Sequence, residues 1–319
     1  MKALVTSDLH IHPWRECSRD GGQDRLQDGL SAARQLLQAA RDRKCPLVVT
    51  GDFKHLKDRW ILSALNGLLA LFREFHDVEI FAIPGNHDGV AGGKCGLDVF
   101  HELSNFYLFD VPMIGHAPGA GGSGPKAAYW PHQPTLDGLP AFLAQARKAK
   151  ARVLFAHAFL SGAVLGPDEV RLPGVGATLE QFGLTGEDRV FDYAFVGDVH
   201  KQQAMTTSVP QGSKPPPGLL RKTPAIHIPG SPYQQNWGEW ADAPKGGLYV
   251  DTDAGTVEVV PIQAPRFLVK DLTEVKPQNR VVALEGLLKI GAEDGWAKGD
   301  FVRLIVGSWA DGKLLERVR

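Results

Sequence analysis

The chain has 319 residues, 43% of them hydrophobic and 22% charged, with a formal net charge of -1. A chain this long and this apolar has enough side chain to bury a full core, which argues against disorder. Near-neutral charge gives no general reason to expect nucleic acid, so any such reading must rest on local residues. The longest apolar stretch, Ala64 to Phe72, is too short and interrupted to span a bilayer, and Met1 leads straight into a strand-like run rather than a signal sequence.

In chain order, KALVTS, PLVVT, VEIFAIPG, RVLFAHA, DYAFVG and PAIHIPG read as short strands buried on both faces. Helices are predicted between them over Arg25 to Lys44, Asp58 to Phe75, Leu97 to Leu103 and Leu139 to Lys150. The alternation predicts an α/β protein built on a sheet core. PGAGGSGP at 118–125 and GSKPPPG at 212–218 read as exposed loops. The strand pair GGLYVDTD and TVEVVPI closes a first domain over 1–263. RFLVKDL, a helix-like run over Arg280 to Ile290 and DFVRLIVG form a small α+β cap over 264–319. Cys17, Cys45 and Cys95 are widely spaced and read as free thiols in a reducing cytoplasm.

The chemistry is concentrated at strand ends. Asp8 and His10 follow the first strand, Asp52 the second, and Asn86, His87 and Asp88 the third. His157 ends RVLFAHA, and Asp198 and His200 follow DYAFVG. Carboxyl ends of strands are where loops of an α/β sheet converge on a ligand. Oxygen and imidazole donors without thiolate suit Mn²⁺, Mg²⁺, Fe or Zn²⁺ rather than a structural zinc site. Two ions about 3.5 to 4 Å apart need a shared carboxylate, and Asp52 is the natural bridge. Each piece alone also reads blandly: Asp-x-His and Gly-Asn-His-Asp as turns, His157 as a core histidine.

Taken in order, SDLH, GD, GNHD, H and GDVH resemble the calcineurin-like metallophosphoesterase superfamily over about the first 200 residues. That resemblance implies a four-layer α/β/β/α sandwich. It also implies one ion held by Asp8, His10, Asp52 and His200, and a second by Asp52, Asn86, His157 and Asp198. His87 would assist the leaving group, with Asp88 orienting its ring. Asp198 stands where the family pattern has His, and its carboxylate character favours Mn²⁺ or Mg²⁺ over Zn²⁺.

Three further features resemble the SbcD-type DNA repair nucleases: His55 in GDFKH, Lys201 followed by IHIPGSPYQQNWGE, and RFLVKDL at the start of a cap. They imply a DNA exonuclease or endonuclease with His55 near the substrate phosphate. The implied partners are a coiled-coil ATPase like SbcC and a second copy of the chain. Lys54, Lys201 and Ser231 are the expected substrate contacts, and Lys214, Arg221 and Lys222 lie in a Pro-rich segment suited to following a DNA backbone. Trp14, Trp237 and Trp240 either stack on bases or pack internally, and His12 either faces the cleft or forms a turn. A small-molecule phosphatase or cyclic-nucleotide phosphodiesterase on the same core is the alternative, followed by a non-catalytic metal-binding scaffold.

Overall fold

The computed structural model describes residues 1–18, 21, 23–90, 93–119, 125–166, 168–171, 174–186, 188–205, 221, 224–242, 245–271 and 300–305. Two six-stranded sheets face each other. Across the first, the order is Thr256–Pro261, Gly246–Asp251, Lys2–Thr6, Leu47–Thr50, Ile80–Ile83 and Phe106–Leu108. Across the second it is Gln203–Met205, Ala225–Ile228, Tyr193–Gly197, Val153–His157, Lys126–Trp130 and Met113–His116. The strands predicted before residue 264 all appear among these. The sequence reading had not found Phe106–Leu108, Met113–His116, Lys126–Trp130 or Gln203–Met205.

The period of two in each strand decides the layering. Ala3, Val5 and Val48 point to one side, where they meet Val153, Phe155, Tyr193 and Phe195 of the second sheet. Leu4, Leu47 and Val49 point to the other, beneath α1 (Gln23–Asp42) and α2 (Leu62–Glu74). On the second sheet, Leu154, Ala156, Ala194 and Val196 face away from the first, toward Phe142 and Ala146 of α3 (Leu139–Lys148). Helix, sheet, sheet and helix therefore stack in four layers, each interior held by apolar side chains that contribute about 1.5–3 kcal/mol when fully buried.

The helices supply matching stripes. Leu26, Ala33, Leu36, Leu37 and Ala40 line one face of α1, and Ala64, Leu68, Leu71 and Phe72 one face of α2, both at helical spacing. Pro140 in the first turn of α3 fits a position that has no intrahelical N–H partner. No helix of the described residues is long and apolar enough to cross a membrane.

Topology sets the position of the chemistry. Lys2–Thr6, Leu47–Thr50 and Ile80–Ile83 are parallel, as are Lys126–Trp130, Val153–His157, Tyr193–Gly197 and Ala225–Ile228. Their carboxyl ends thus fall along one edge of each sheet. Beyond the core, Phe267–Asp271 and Phe301–Ile305 pair in parallel as a separate two-stranded sheet. The helix expected over 280–290 lies outside the described residues, as do Lys214 and Lys222.

Candidate metal centre

The loops after the first two strands run alongside each other past the end of the sheet. The amides of Asp8, His10 and Ile11 donate to the carbonyls of Gly51, Asp52 and Phe53 at 2.9, 2.8 and 2.9 Å. Asp8, His10, Asp52 and Asp198 have φ of 53°, 41°, 59° and 104°. Each such left-handed residue costs about 1–3 kcal/mol and persists only where its surroundings enforce it, a pattern that marks functional loops. Gly85 lets these loops close: a Cβ there would lie 2.1 Å from Asp52 Oδ1.

The structure brings the predicted ligands together. Asp52 Oδ2 lies 3.4 Å from His10 Nε2 and 3.6 Å from His157 Nε2, and the latter is also 3.6 Å from Asp198 Oδ1. Asp8, His10 and His200 form one group with ligand atoms within 4.8 Å, and Asp8, Asp52 and His157 another. The other oxygen of Asp52, Oδ1, accepts the His87 amide at 2.9 Å, which turns Oδ2 toward the two imidazoles. Asp52 thus has the placement of a shared ligand.

These donors fit divalent ions. Asp8 Oδ1, Asn86 Oδ1 and His157 Nε2 are buried side-chain atoms with no hydrogen-bond partner, a condition that is costly unless a cation completes it. His157 Nδ1 donates to the Thr50 carbonyl at 2.7 Å, leaving Nε2 as the lone-pair donor. Burial alone would lower the His157 imidazole, but Asp52, with Asp198 and Asp8, raises it to about 10. Burial raises Asp52 to about 7 against the pull of His157, with Asp88 and Asp8 adding to the rise. His10, buried and close to His200 and His87, is held well below its usual value and so stays neutral, as a ligand imidazole must be.

A second group of imidazoles adjoins the first. His10, His55 and His87 have ring nitrogens within 4.8 Å of one another. Burial, then His12 and His87, lowers His55 to about 4. The His55 ring stacks near His87 with centroids 5.4 Å apart, and Trp14 and His12 cover it at 4.2 and 4.9 Å. His12 and Trp14 therefore belong to the rim of this cluster.

Several expected roles are corrected. Asp88 does not orient the His87 ring: its buried carboxylate accepts the amides of Asp52, Phe53 and Gly85 at 2.8, 2.9 and 2.9 Å. His87 Nδ1 instead donates to the His55 carbonyl. Lys54, expected at the substrate, is 2% exposed and gives its ammonium to the carbonyls of Leu56 and His87. Ser231 is fully buried and donates to Glu239 Oε2 at 2.9 Å, so it does not form an open rim. Lys201 is partly buried, donating to the Gly166 carbonyl at 3.2 Å beside Glu169. Trp237 packs between Phe267 and the Arg303 guanidinium, with centroid distances of 4.8 and 4.2 Å, while Trp240 is exposed. Arg221, from the Pro-rich segment, lies over the Tyr193 ring.

A family model described as calcineurin-like phosphoesterase matches residues 1–202. The chain belongs to this family. Membership carries metal-dependent hydrolysis of phosphoesters, with divalent ions as the cofactors that the Asp and His groups are built to hold. A search of curated proteins finds no match.

Some site residues escaped the sequence reading. Gln235 Nε2 donates to the Asp8 carbonyl at 2.6 Å, and Glu239 Oε1 accepts from His200 Nδ1 at 3.0 Å. Both follow the P-G-S-P turn, where a lone acid after Gly was the available signal. The His132 ring lies 6.4 Å from His157, two residues beyond the unpredicted strand Lys126–Trp130.

Proposed function

We propose that the protein is a two-metal phosphodiester hydrolase that acts on DNA. The observation that carries the two-metal reading is Asp52 Oδ2, set 3.4 Å from His10 Nε2 and 3.6 Å from His157 Nε2. By this reading Asp8, His10, Asp52 and His200 hold one ion, and Asp52, Asn86, His157 and Asp198 the other. When bound, the two ions supply Lewis-acid polarisation of the phosphoryl group and lower the pKa of water. Mn²⁺ is the proposed metal, because Asp198 adds oxygen character to the second set.

The chain's own residues do the rest. His87 keeps a proton on Nδ1 against the His55 carbonyl, so Nε2 is the atom that exchanges a proton with the departing sugar oxygen. Asp88 holds the amides of Asp52 and Gly85 and thereby sets the distance between the bridge and His87. His55, neutral and packed beside His87, is placed to donate one hydrogen bond to a non-bridging phosphate oxygen.

Support for DNA comes from the GD-x-x-H spacing, which sets His55 beside His87, and from Lys201 with the P-G-S-P segment, which resemble SbcD-type nucleases. The same resemblance supports a coiled-coil ATPase partner, self-association and a cytoplasmic setting. The test is Mn²⁺-dependent digestion of end-labelled duplex and single-stranded DNA by wild type and His87→Ala, with bis(p-nitrophenyl) phosphate as control. Loss of at least 100-fold in DNA cleavage by the variant is the predicted result. Cleavage of the small ester with intact DNA would move the function to a small-molecule phosphodiesterase.

A further inference from the structure

The matched family region ends at residue 202, yet a later segment forms one wall of the metal centre. After the strand Ala225–Ile228, Gly230 takes φ +70° and a Cβ there would lie 2.5 Å from the His200 carbonyl. The Ser231 amide donates to that same carbonyl at 3.0 Å. Six to eight residues further on, a short helical turn, Trp237–Glu239, returns an acid to the His200 ring.

Glu239 divides its two oxygens. Oε1 faces His200 Nδ1 at 3.0 Å. Oε2 accepts Ser231 Oγ at 2.9 Å and Lys245 Nζ at 2.6 Å. Lys245 in turn donates to the His200 carbonyl at 2.8 Å and to Ser231 Oγ at 2.7 Å, and lies 3.4 Å from Asp242. Glu239, Ser231 and Lys245 are all buried. A buried carboxylate is costly unless its oxygens are satisfied, and here Ser231 and Lys245 satisfy one of them and so fix the direction of the other.

We infer that Glu239 is the positioning residue of His200: it holds the proton on Nδ1, presents Nε2 toward Asp8 and His10, and makes this imidazole a stronger donor than its counterpart. His157, on the other side of Asp52, is backed by a neutral carbonyl, that of Thr50. A carboxylate behind a ligand histidine raises its basicity, whereas a carbonyl mainly fixes its orientation. The two halves of the centre are therefore unequal, and the half containing Asp8, His10 and His200 holds its ion more tightly. This inference rests on the two-ion reading proposed above.

The test measures ion binding rather than turnover. Full-length wild type, Glu239→Gln, Lys245→Met and the double variant Glu239→Gln/Lys245→Met are titrated with Mn²⁺ by calorimetry, and their metal-free melting temperatures are recorded. Glu239→Gln leaves the Lys245 ammonium with Asp242 as its remaining carboxylate and can destabilise the fold, and the double variant removes that ammonium as well. The expected result is two ions in wild type, with one of them weakened about 10–100-fold in both Glu239 variants and the other unchanged, whatever the double variant's melting temperature. In Zn²⁺-loaded, ¹⁵N-histidine-labelled wild type, His200 shows a protonated Nδ1 and a metal-bound Nε2. A double variant that binds both ions as tightly as wild type, or a metal-bound Nδ1 of His200, overturns the positioning role alone. Uptake of fewer than two ions by wild type overturns the two-ion reading together with this inference.

Discussion

The backbone amide of Asp52 donates to Oδ2 of Asp88 at 2.8 Å, so the acid beside His87 in sequence acts on Asp52, the proposed bridge, instead. Together with the Phe53 and Gly85 amides, this anchors the second and third site loops to one buried carboxylate. Asp88→Ala takes the acceptor from the buried amides of Asp52, Phe53, Lys54 and Gly85 and is predicted to cost about 3–5 kcal/mol of stability in urea denaturation. It also weakens Mn²⁺ binding, because Asp52 loses its fixed position. A loss below about 1 kcal/mol by the same measurement would show that water or rearranged carbonyls replace the carboxylate.

Asp198 Oδ1 lies 3.6 Å from His157 Nε2, and among the proposed ligands it is the position that departs from the pattern the sequence resembles. Asp198→His exchanges an oxygen donor for a nitrogen donor at the same backbone position. Competition titration is predicted to show Zn²⁺ gaining on the order of tenfold over Mn²⁺. An unchanged Zn²⁺ to Mn²⁺ ratio would remove Asp198 from the coordination shell.

The His227 imidazole stacks on Phe195 with ring centroids 5.8 Å apart, and burial, with Arg221 adding, lowers it to about 4. An unfolded histidine takes its proton near 6.5, about the usual value. Between these values the unfolded chain holds more protons, so stability falls as pH drops from about 6.5 toward about 4 and is fully present above that window. Chemical denaturation of metal-free His227→Gln across this range is predicted to show a shallower decline than wild type. Parallel curves would mean that His227 is protonated in the fold.

Much of this centre was legible because its residues are local to strand ends. Asp8, His10, Asp52, Asn86, His87, His157, Asp198 and His200 each follow an apolar run, and parallel strands carry such ends to one edge. The continuous apolar runs likewise foretold strands buried on both faces, as Leu4 on one side and Ala3 and Val5 on the other show. What could not be read were contacts fixed by tertiary packing. Glu239 meets His200 across 39 positions, and Thr50 meets His157 across 107. Lys54 and Ser231 were misread for a related reason: a polar side chain near a motif reads as reachable by substrate, whereas carbonyls of Leu56 and His87 and the Glu239 carboxylate consume theirs. Lys126–Trp130 was missed because its KAAYW run is short and follows a Gly-rich stretch.

Asp52 is proposed to bridge two ions. Crystals grown with Mn²⁺ and measured at the manganese absorption edge are predicted to show two anomalous peaks about 3.5–4 Å apart, with Asp52 Oδ2 between them. One peak is expected beside His200 and the other beside His157. A single peak, or two peaks with Asp52 bound to only one of them, would contradict the account.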